Sequence, residues 1–430
     1  MLATLSNESK KAMIDSTQKT IGFSEFRRGW PVVVASMFGI GLGLSPVPFY
    51  TIGMLAPELH KAFGWEFGAI MTGLMIMTLA VLVASTVVGY LGDRFGVRRV
   101  ALISLVLFSL SFMAFSMSNG SIVLFYINWA VMALLGAGTL PVTWTRAVNN
   151  YFDVRKGLAL GLSLIGTGIF GFLIKPITAW LIVTYGWRTT YLVIGLMPLF
   201  IAFPIAFFAF HDVGTRSETG EARRKASAAR QLLTPGLTLG QALKSWRYWV
   251  LAFAFVLVSF GVGGTIPNME NILKVAGFPG HDIVSLVALI GLSVIVGRII
   301  GGWLIDRFWA PGVAFVMLSL PAMSCWLMAS GGMSVPAAAM SIFLIGFAAG
   351  VEYDLMAFLV ARYFGMKSYS AIYGSLYGFF AVGAGAGPVV FGRVFDKTGS
   401  YGPVLGTTAA LLIIGAVSLL FLGRYQRFER

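Results

Sequence analysis

Apolar residues run in long blocks along the chain, and clusters of charge, glycine or proline separate them. A helix rises about 1.5 Å per residue, so about 20 apolar residues cross the roughly 30 Å of a bilayer's hydrocarbon. Twelve such blocks can be read, at approximately 30–55, 67–91, 98–118, 121–148, 156–182, 189–211, 247–272, 282–305, 310–331, 334–363, 370–391 and 401–423. Most connections between them are short. The exception is 212–246, which carries Arg216, Arg223, Arg224, Lys225, Arg230 and Lys244, with Arg247 at its edge.

The blocks fall into two similar sets. Gly89-Tyr90-Leu91-Gly92-Asp93-Arg94-Phe95-Gly96-Val97-Arg98-Arg99 ends the second block, and Gly302-Trp303-Leu304-Ile305-Asp306-Arg307-Phe308 nearly repeats it 213 positions later (302 − 89), about half of the 430-residue length. At an offset of 212 (363 − 151), Tyr151-Phe152 matches Tyr363-Phe364, Gly171 matches Gly383 and Pro176 matches Pro388. The pattern predicts an all-α membrane protein with twelve transmembrane helices in two pseudo-symmetric six-helix bundles. The expected divisions are a tail 1–29, a first bundle 30–211, a linker 212–246, a second bundle 247–423 and a tail 424–430. Glycines such as Gly166, Gly168, Gly171, Gly383, Gly385 and Gly387 suit close helix packing in lipid. Parallel repeats of this kind place a substrate site where they meet, near the membrane midplane.

Composition agrees. Hydrophobic residues make up 57% and charged residues 11% of the chain, with mean hydropathy +0.84, against about 25% charged in a soluble domain. The net charge of +14 invites a nucleic-acid reading, but the cations are sorted by side. With the N-terminus inside, only Lys61, Arg188, Lys274, Arg393 and Lys397 fall outside, which is the positive-inside pattern. The basic balance therefore reports topology, with both termini and the linker cytoplasmic in an inner (plasma) membrane, and no nucleic-acid partner is expected. Residues 1–28 contain no apolar run, so no cleavable leader is expected and the first span directs insertion. The lone Cys325 excludes disulfides and cysteine metal sites within one chain. His60, His211 and His281 sit at span ends, and no HExxH, phosphate-cradling loop or Ser-His-Asp order appears. No enzyme activity, metal or cofactor is expected.

Gly89 to Arg99 closely resembles the signature loop between spans two and three of the major facilitator superfamily, and the likeness covers the whole chain. It implies the major facilitator fold. It also implies a cytoplasmic latch, formed by Asp and Arg residues of the loop, that holds the halves together in the outward-facing state. On this chain the latch set is Gly89, Asp93, Arg94, Arg98, Asp306 and Arg307, with Arg146 at the span-four arginine, where structural pairing and a role in coupling both stand. Arg27-Arg28-Gly29-Trp30-Pro31, Phe63-Gly64-Trp65, Tyr151-Phe152-Asp153-Val154-Arg155-Lys156-Gly157-Leu158-Ala159 and Tyr185-Gly186-Trp187-Arg188 resemble the monocarboxylate-porter and oxalate-exchanger branch. Arg298 falls at that branch's carboxylate-binding arginine. The chain departs from the branch at Val294, where porters carry an Asp, at Phe380, where the exchanger carries a second cation, and in span one, which has no Lys.

Ionisable residues inside the membrane cost about 2.5–3.5 kcal/mol each and need a partner, a cavity or an exit. Arg298 lies about 12 Å from the near end of its helix by the helical rise, and its planar fork suits a carboxylate. Lys175, about 28 Å along span five, either faces the cavity or snorkels to the outer surface. Glu352 and Asp354 point about 200° apart on one helix. One or the other could carry a proton, or pair structurally with Arg362 or Arg146. Tyr50, Asn128, Trp144, Asn268, Tyr373, Tyr377 and Phe380 complete the candidate substrate route. Asn268, Glu270 and Asn271 form either an outer gate or a solvated loop edge.

The expected function is secondary transport of a small organic anion by alternating access, monocarboxylate-like and proton-coupled, by a monomer in the lipid bilayer. The alternatives are export of an amphipathic drug-like or peptide compound, or a non-transporting membrane receptor.

Overall fold

The computed structural model describes residues 26–152, 156–211, 236–331, 333–365 and 367–425. Residues 1–25 of the tail, 212–235 of the linker and 426–430 lie outside the described residues. In chain order the helices are α1 (26–41), α2 (Pro46–Phe63), α3 (Phe67–Phe95), α4 (Val97–Met113), α5 (Ile122–Gly136), α6 (Pro141–Tyr151), α7 (Lys156–Met197), α8 (Phe203–Ala209), α9 (Leu239–Lys244), α10 (Trp246–Val275), α11 (Gly280–Arg307), α12 (Ala310–Ser330), α13 (Val335–Phe364), α14 (Tyr369–Thr398) and α15 (Gly402–Leu420).

Eleven described helical stretches are long and apolar enough to cross a membrane, and one of them, Leu158–Ala209, has 52 residues. Straight, it would reach about 78 Å, more than twice the hydrocarbon thickness. Gly186 breaks it, with φ 78° and ψ 167°, a backbone region that essentially only glycine enters. The chain turns back there, so this stretch makes two crossings and the total is twelve, as the hydropathic pattern predicts.

Two spans are interrupted midway. α1 gives way to α2 at residues 42–45, and α5 passes through a 3₁₀ turn (Ala137–Thr139) before α6. Pro46 and Pro141 start the second halves, where a missing N–H costs nothing. In lipid every freed backbone group must be satisfied within the protein, and the two breaks face each other. Leu44 N donates to Thr139 Oγ1 at 2.9 Å, and Trp144 Nε1 donates to Thr139 O at 3.1 Å.

The two sets of helices pack alike. In the second, α10 lies on α14, α11 on α13 and α12 on α15; in the first, α2 lies on α7, α3 on α5 and α4 on α7. The halves meet through α3 against α14, α7 against α11, and α2 against α10. Apolar side chains on outward faces stay exposed, Val183 and Phe208 among them, as a lipid-facing surface requires. α2 continues to Phe63 and α10 to Val275, beyond the predicted ends. The added turns lie at the end of the molecule opposite Gly89–Arg99, called here the far end.

Candidate functional site

Arg298 spans the seam between the halves. α11 and α13 approach so closely that Gly297 meets the backbone of Phe347, Gly350 meets Val294 O and Arg298 N, and Gly301 meets Val351. One turn beyond Gly350, Asp354 therefore lies beside Arg298, with Oδ2 3.3 Å from Nε. That contact has ion-pair distance without hydrogen-bond alignment, since Nε has no hydrogen-bond partner. Nη1 reaches the other half and donates to Leu164 O of α7 at 2.9 Å. The Arg298 side chain is 12% exposed and that of Asp354 is 34% exposed.

An aromatic wall continues from this pair. The Tyr353 ring lies 4.7 Å from Phe380, and Tyr377 stacks on Phe380 at 5.9 Å. Tyr373 stacks on Tyr369 and lies within electrostatic range of Asp354 and Arg298. Tyr50 of α2 is within the same range of Arg298 and Glu352. Glu352 is 5% exposed, and its Oε2 has no hydrogen-bond partner among the described residues.

The seam is closed at one end and splayed at the other. On α14, a Cβ on Gly385 would lie 3.3 Å from Met75 and 3.4 Å from Thr78 of α3, and Gly392 meets the backbone of Phe67 and Gly68. Gly378 and Gly374 share that face, since seven- and eleven-residue steps return to nearly the same helical angle. A Cβ on either would meet nothing within 4 Å among the described residues. α3 and α14 thus separate toward the near end, the one bearing Gly89–Arg99. At the far end Lys175 of α7 is ion-paired with Glu270 of α10, with side chains 1% and 7% exposed, beneath the ring of Tyr50. Gly53 of α2 seals this pair, lying directly against Glu270 and Pro267 O.

Two bundles parting along a central seam with charge buried in it are the architecture of a carrier. A family model described as Major Facilitator Superfamily matches residues 33–388. The chain belongs to the Major Facilitator Superfamily. Its relatives include monocarboxylate transporter 11 of Homo sapiens, 26% identical over 91% of this chain and 81% of the relative. A probable sulfoacetate transporter of Cupriavidus necator is 25% identical over 86% of this chain and 89% of the relative. An uncharacterized 38 kDa protein of Thermoproteus tenax is 27% identical over 86% and 90%. Two of these three relatives are named as transporters, and this superfamily member is a multi-pass membrane transporter rather than an enzyme.

Within this transporter the predicted route residues separate into two groups. Arg298, Asp354, Glu352, Tyr50, Tyr373, Tyr377 and Phe380 come together at the seam. Three others do not. Asn128 bonds Ser111 O at 3.2 Å and joins α5 to α4, away from the second half. Trp144 is wholly buried in the core of the first half, between Gly39 and Phe210. Asn268 serves its own half, donating to Gly264 O at 2.9 Å and lying 3.4 Å from both Pro388 O and the Tyr401 hydroxyl. Helical periodicity cannot rotate a helix about its axis, so all three looked alike in the sequence.

Lys175 is ion-paired with Glu270 of the other half and wholly buried, so it does not snorkel to the outer surface. Glu270 and Asn271 lie inside α10 rather than at a solvated loop edge, and Asn271 donates to the Tyr401 hydroxyl at 2.9 Å. The signal was present, since a buried acid and a buried lysine at equal depth ask to be paired. Arg362 packs over Phe358 and Tyr425, and takes neither acid as its partner. Of the latch set, the side chains of Asp93 and Arg146 and the surroundings of Gly89 lie outside the described residues. Arg94, Asp306 and Arg307 are exposed, and Arg98 donates to Phe207 O within its own half.

Proposed function

We propose that this transporter moves a small organic anion of the monocarboxylate type by alternating access, with Arg298 as the cation that receives the carboxylate. The observation that carries this reading is the position of the guanidinium. It lies across the seam with one nitrogen on Leu164 O of the opposite half, is only loosely matched to a part-exposed Asp354, and abuts the aromatic wall. Arg298 thus retains donors for a bidentate partner, whereas Lys175 is engaged by Glu270. The names of two relatives, one a monocarboxylate and one a probable sulfoacetate transporter, support a carboxylate-bearing cargo. The bundles 30–211 and 247–423 rock about the seam, and the basic linker 212–246 ties them on the cytoplasmic side. Glu352 or Asp354 carries the coupled proton, and the carrier works as a monomer in the inner membrane.

The test is uptake of radiolabelled lactate, pyruvate and sulfoacetate into proteoliposomes. At least one should accumulate. Arg298→Gln should lower its kcat/KM by roughly thirtyfold or more, the loss expected when one partner of a buried charge pair is removed. Uptake unchanged by that substitution would remove Arg298 from the site. Uptake of none of the three anions by the unaltered carrier would leave the amphipathic-export reading in their place.

A further inference from the structure

The signature spacing occurs a third time. Gly392-Arg393-Val394-Phe395-Asp396-Lys397-Thr398-Gly399 repeats Gly89-Tyr90-Leu91-Gly92-Asp93-Arg94-Phe95-Gly96, with glycine first and eighth, aspartate fifth and a cation sixth. The copy at Gly302–Arg307 shares the first, fifth and sixth positions. α3 and α11 end at the near face, so the first two copies lie there. α14 runs the other way and carries the third copy to the far face.

There Asp396 does what spacing alone cannot show. Its Oδ1 accepts from Phe67 N at 2.9 Å and its Oδ2 from Gly68 N at 2.7 Å. Those amides open α3, in the other half of the molecule. The first amides of a helix lack intrahelical acceptors, and Glu66, the residue preceding α3, makes no side-chain cap. Asp396 therefore caps α3 across the seam, with its charge at the positive end of the helix dipole and both bonds charge-assisted. Gly68 against Arg393, and Gly392 against Phe67 and Gly68, leave no room for side chains at this crossing. The Phe67 ring meets Phe395 edge-on at 5.3 Å and closes its flank.

We propose that Asp396 is the far-end latch, a positioning residue of the transport cycle that holds α14 on α3 while the carrier is open at the near end. This rests on the alternating-access reading. Opening the far end must pull α14 off α3, stripping two amides of their acceptor and a carboxylate of its donors. The same spacing thus provides one latch on each face, and each engages while the opposite face is open.

The test uses a membrane-impermeant maleimide on the full-length chain with Cys325 replaced by Ala. One reporter is Met71→Cys, buried one turn into α3 from Gly68. The other is Gly374→Cys, in the near-end gap. Asp396→Asn should raise Met71→Cys labelling and lower Gly374→Cys labelling, so that the ratio of the two shifts by roughly tenfold, the effect of about 1.4 kcal/mol on a two-state ratio. Asp396→Glu, which keeps the charge, should label closer to the unaltered chain. Equal labelling of the Asn and Glu variants would overturn the latch. So would an Asp396→Asn chain with unmoved reporters, if a Gly392→Leu wedge at the crossing moves both. If the wedge moves neither, alternating closure itself falls and the latch falls with it.

Discussion

At the scale of single residues, the membrane interior makes each charge conspicuous, and what surrounds it decides its role. Lys175 and Glu270 are both taken out of water, and each is tolerable because of the other. Lys175→Gln leaves Glu270 buried without its cation and should destabilise the carrier by about 3–5 kcal/mol, read as a fall in the thermal midpoint in detergent. The double replacement Lys175→Met with Glu270→Leu should recover most of that loss, because apolar groups of similar volume often match a buried ion pair. A double variant no more stable than the single one would show that the pair fixes the seam by more than charge neutralisation. Arg298 differs in kind, since its partner Asp354 is part-exposed and its alignment is loose.

Among helices, backbone approach rather than side-chain volume sets the geometry. α11 and α13 touch through Gly297, Gly301 and Gly350, and this contact brings Asp354 to Arg298. Gly186 acts differently, by permitting a backbone turn. Nothing lies within 4 Å of a Cβ placed there, so space does not forbid a side chain; the positive φ does. Gly186→Ala should cost about 1–3 kcal/mol, seen as reduced yield and a lower thermal midpoint with the near-end reporter unchanged. A variant as stable as the parent would mean that the chain reverses by another route. The broken spans α1/α2 and α5/α6 follow the same economy, since Thr139 in one gap accepts from Leu44 N in the other.

For the whole molecule, the proposed alternating access makes this structure one pose of a cycle. The far end is shut by the Lys175–Glu270 pair and by Asp396 on α3, and the near end is splayed between Gly378 and the start of α14. If transport is proton-coupled as proposed, Glu352, buried in the seam with an oxygen that has no hydrogen-bond partner among the described residues, is the acid expected to take up the proton, because an unpaired buried carboxylate is costly when ionised. An imposed pH gradient, alkaline inside the proteoliposome, should stimulate anion uptake. In Glu352→Gln the stimulation should vanish while exchange of labelled for unlabelled anion continues. Retained stimulation would transfer the proton to Asp354.

Much of this was legible without coordinates. The number of crossings and the duplication follow from apolar length and spacing, because a bilayer constrains each helix separately from its neighbours, and the superfamily was carried by the likeness of Gly89–Arg99 to its signature loop. Arg298 and the acids of α13 could be singled out for the same reason, since an intramembrane charge is rare wherever it points. Helix rotation and partnership were not legible. Asn128, Trp144 and Asn268 belong to the packing of their own halves, Lys175 belongs to Glu270, and Asp396 belongs to two backbone amides of α3, which no side-chain pattern announces. The linear order of residues sets what must be buried in lipid; which buried groups meet is decided only where separate helices touch, through rotations and close approaches that depend on every neighbour at once.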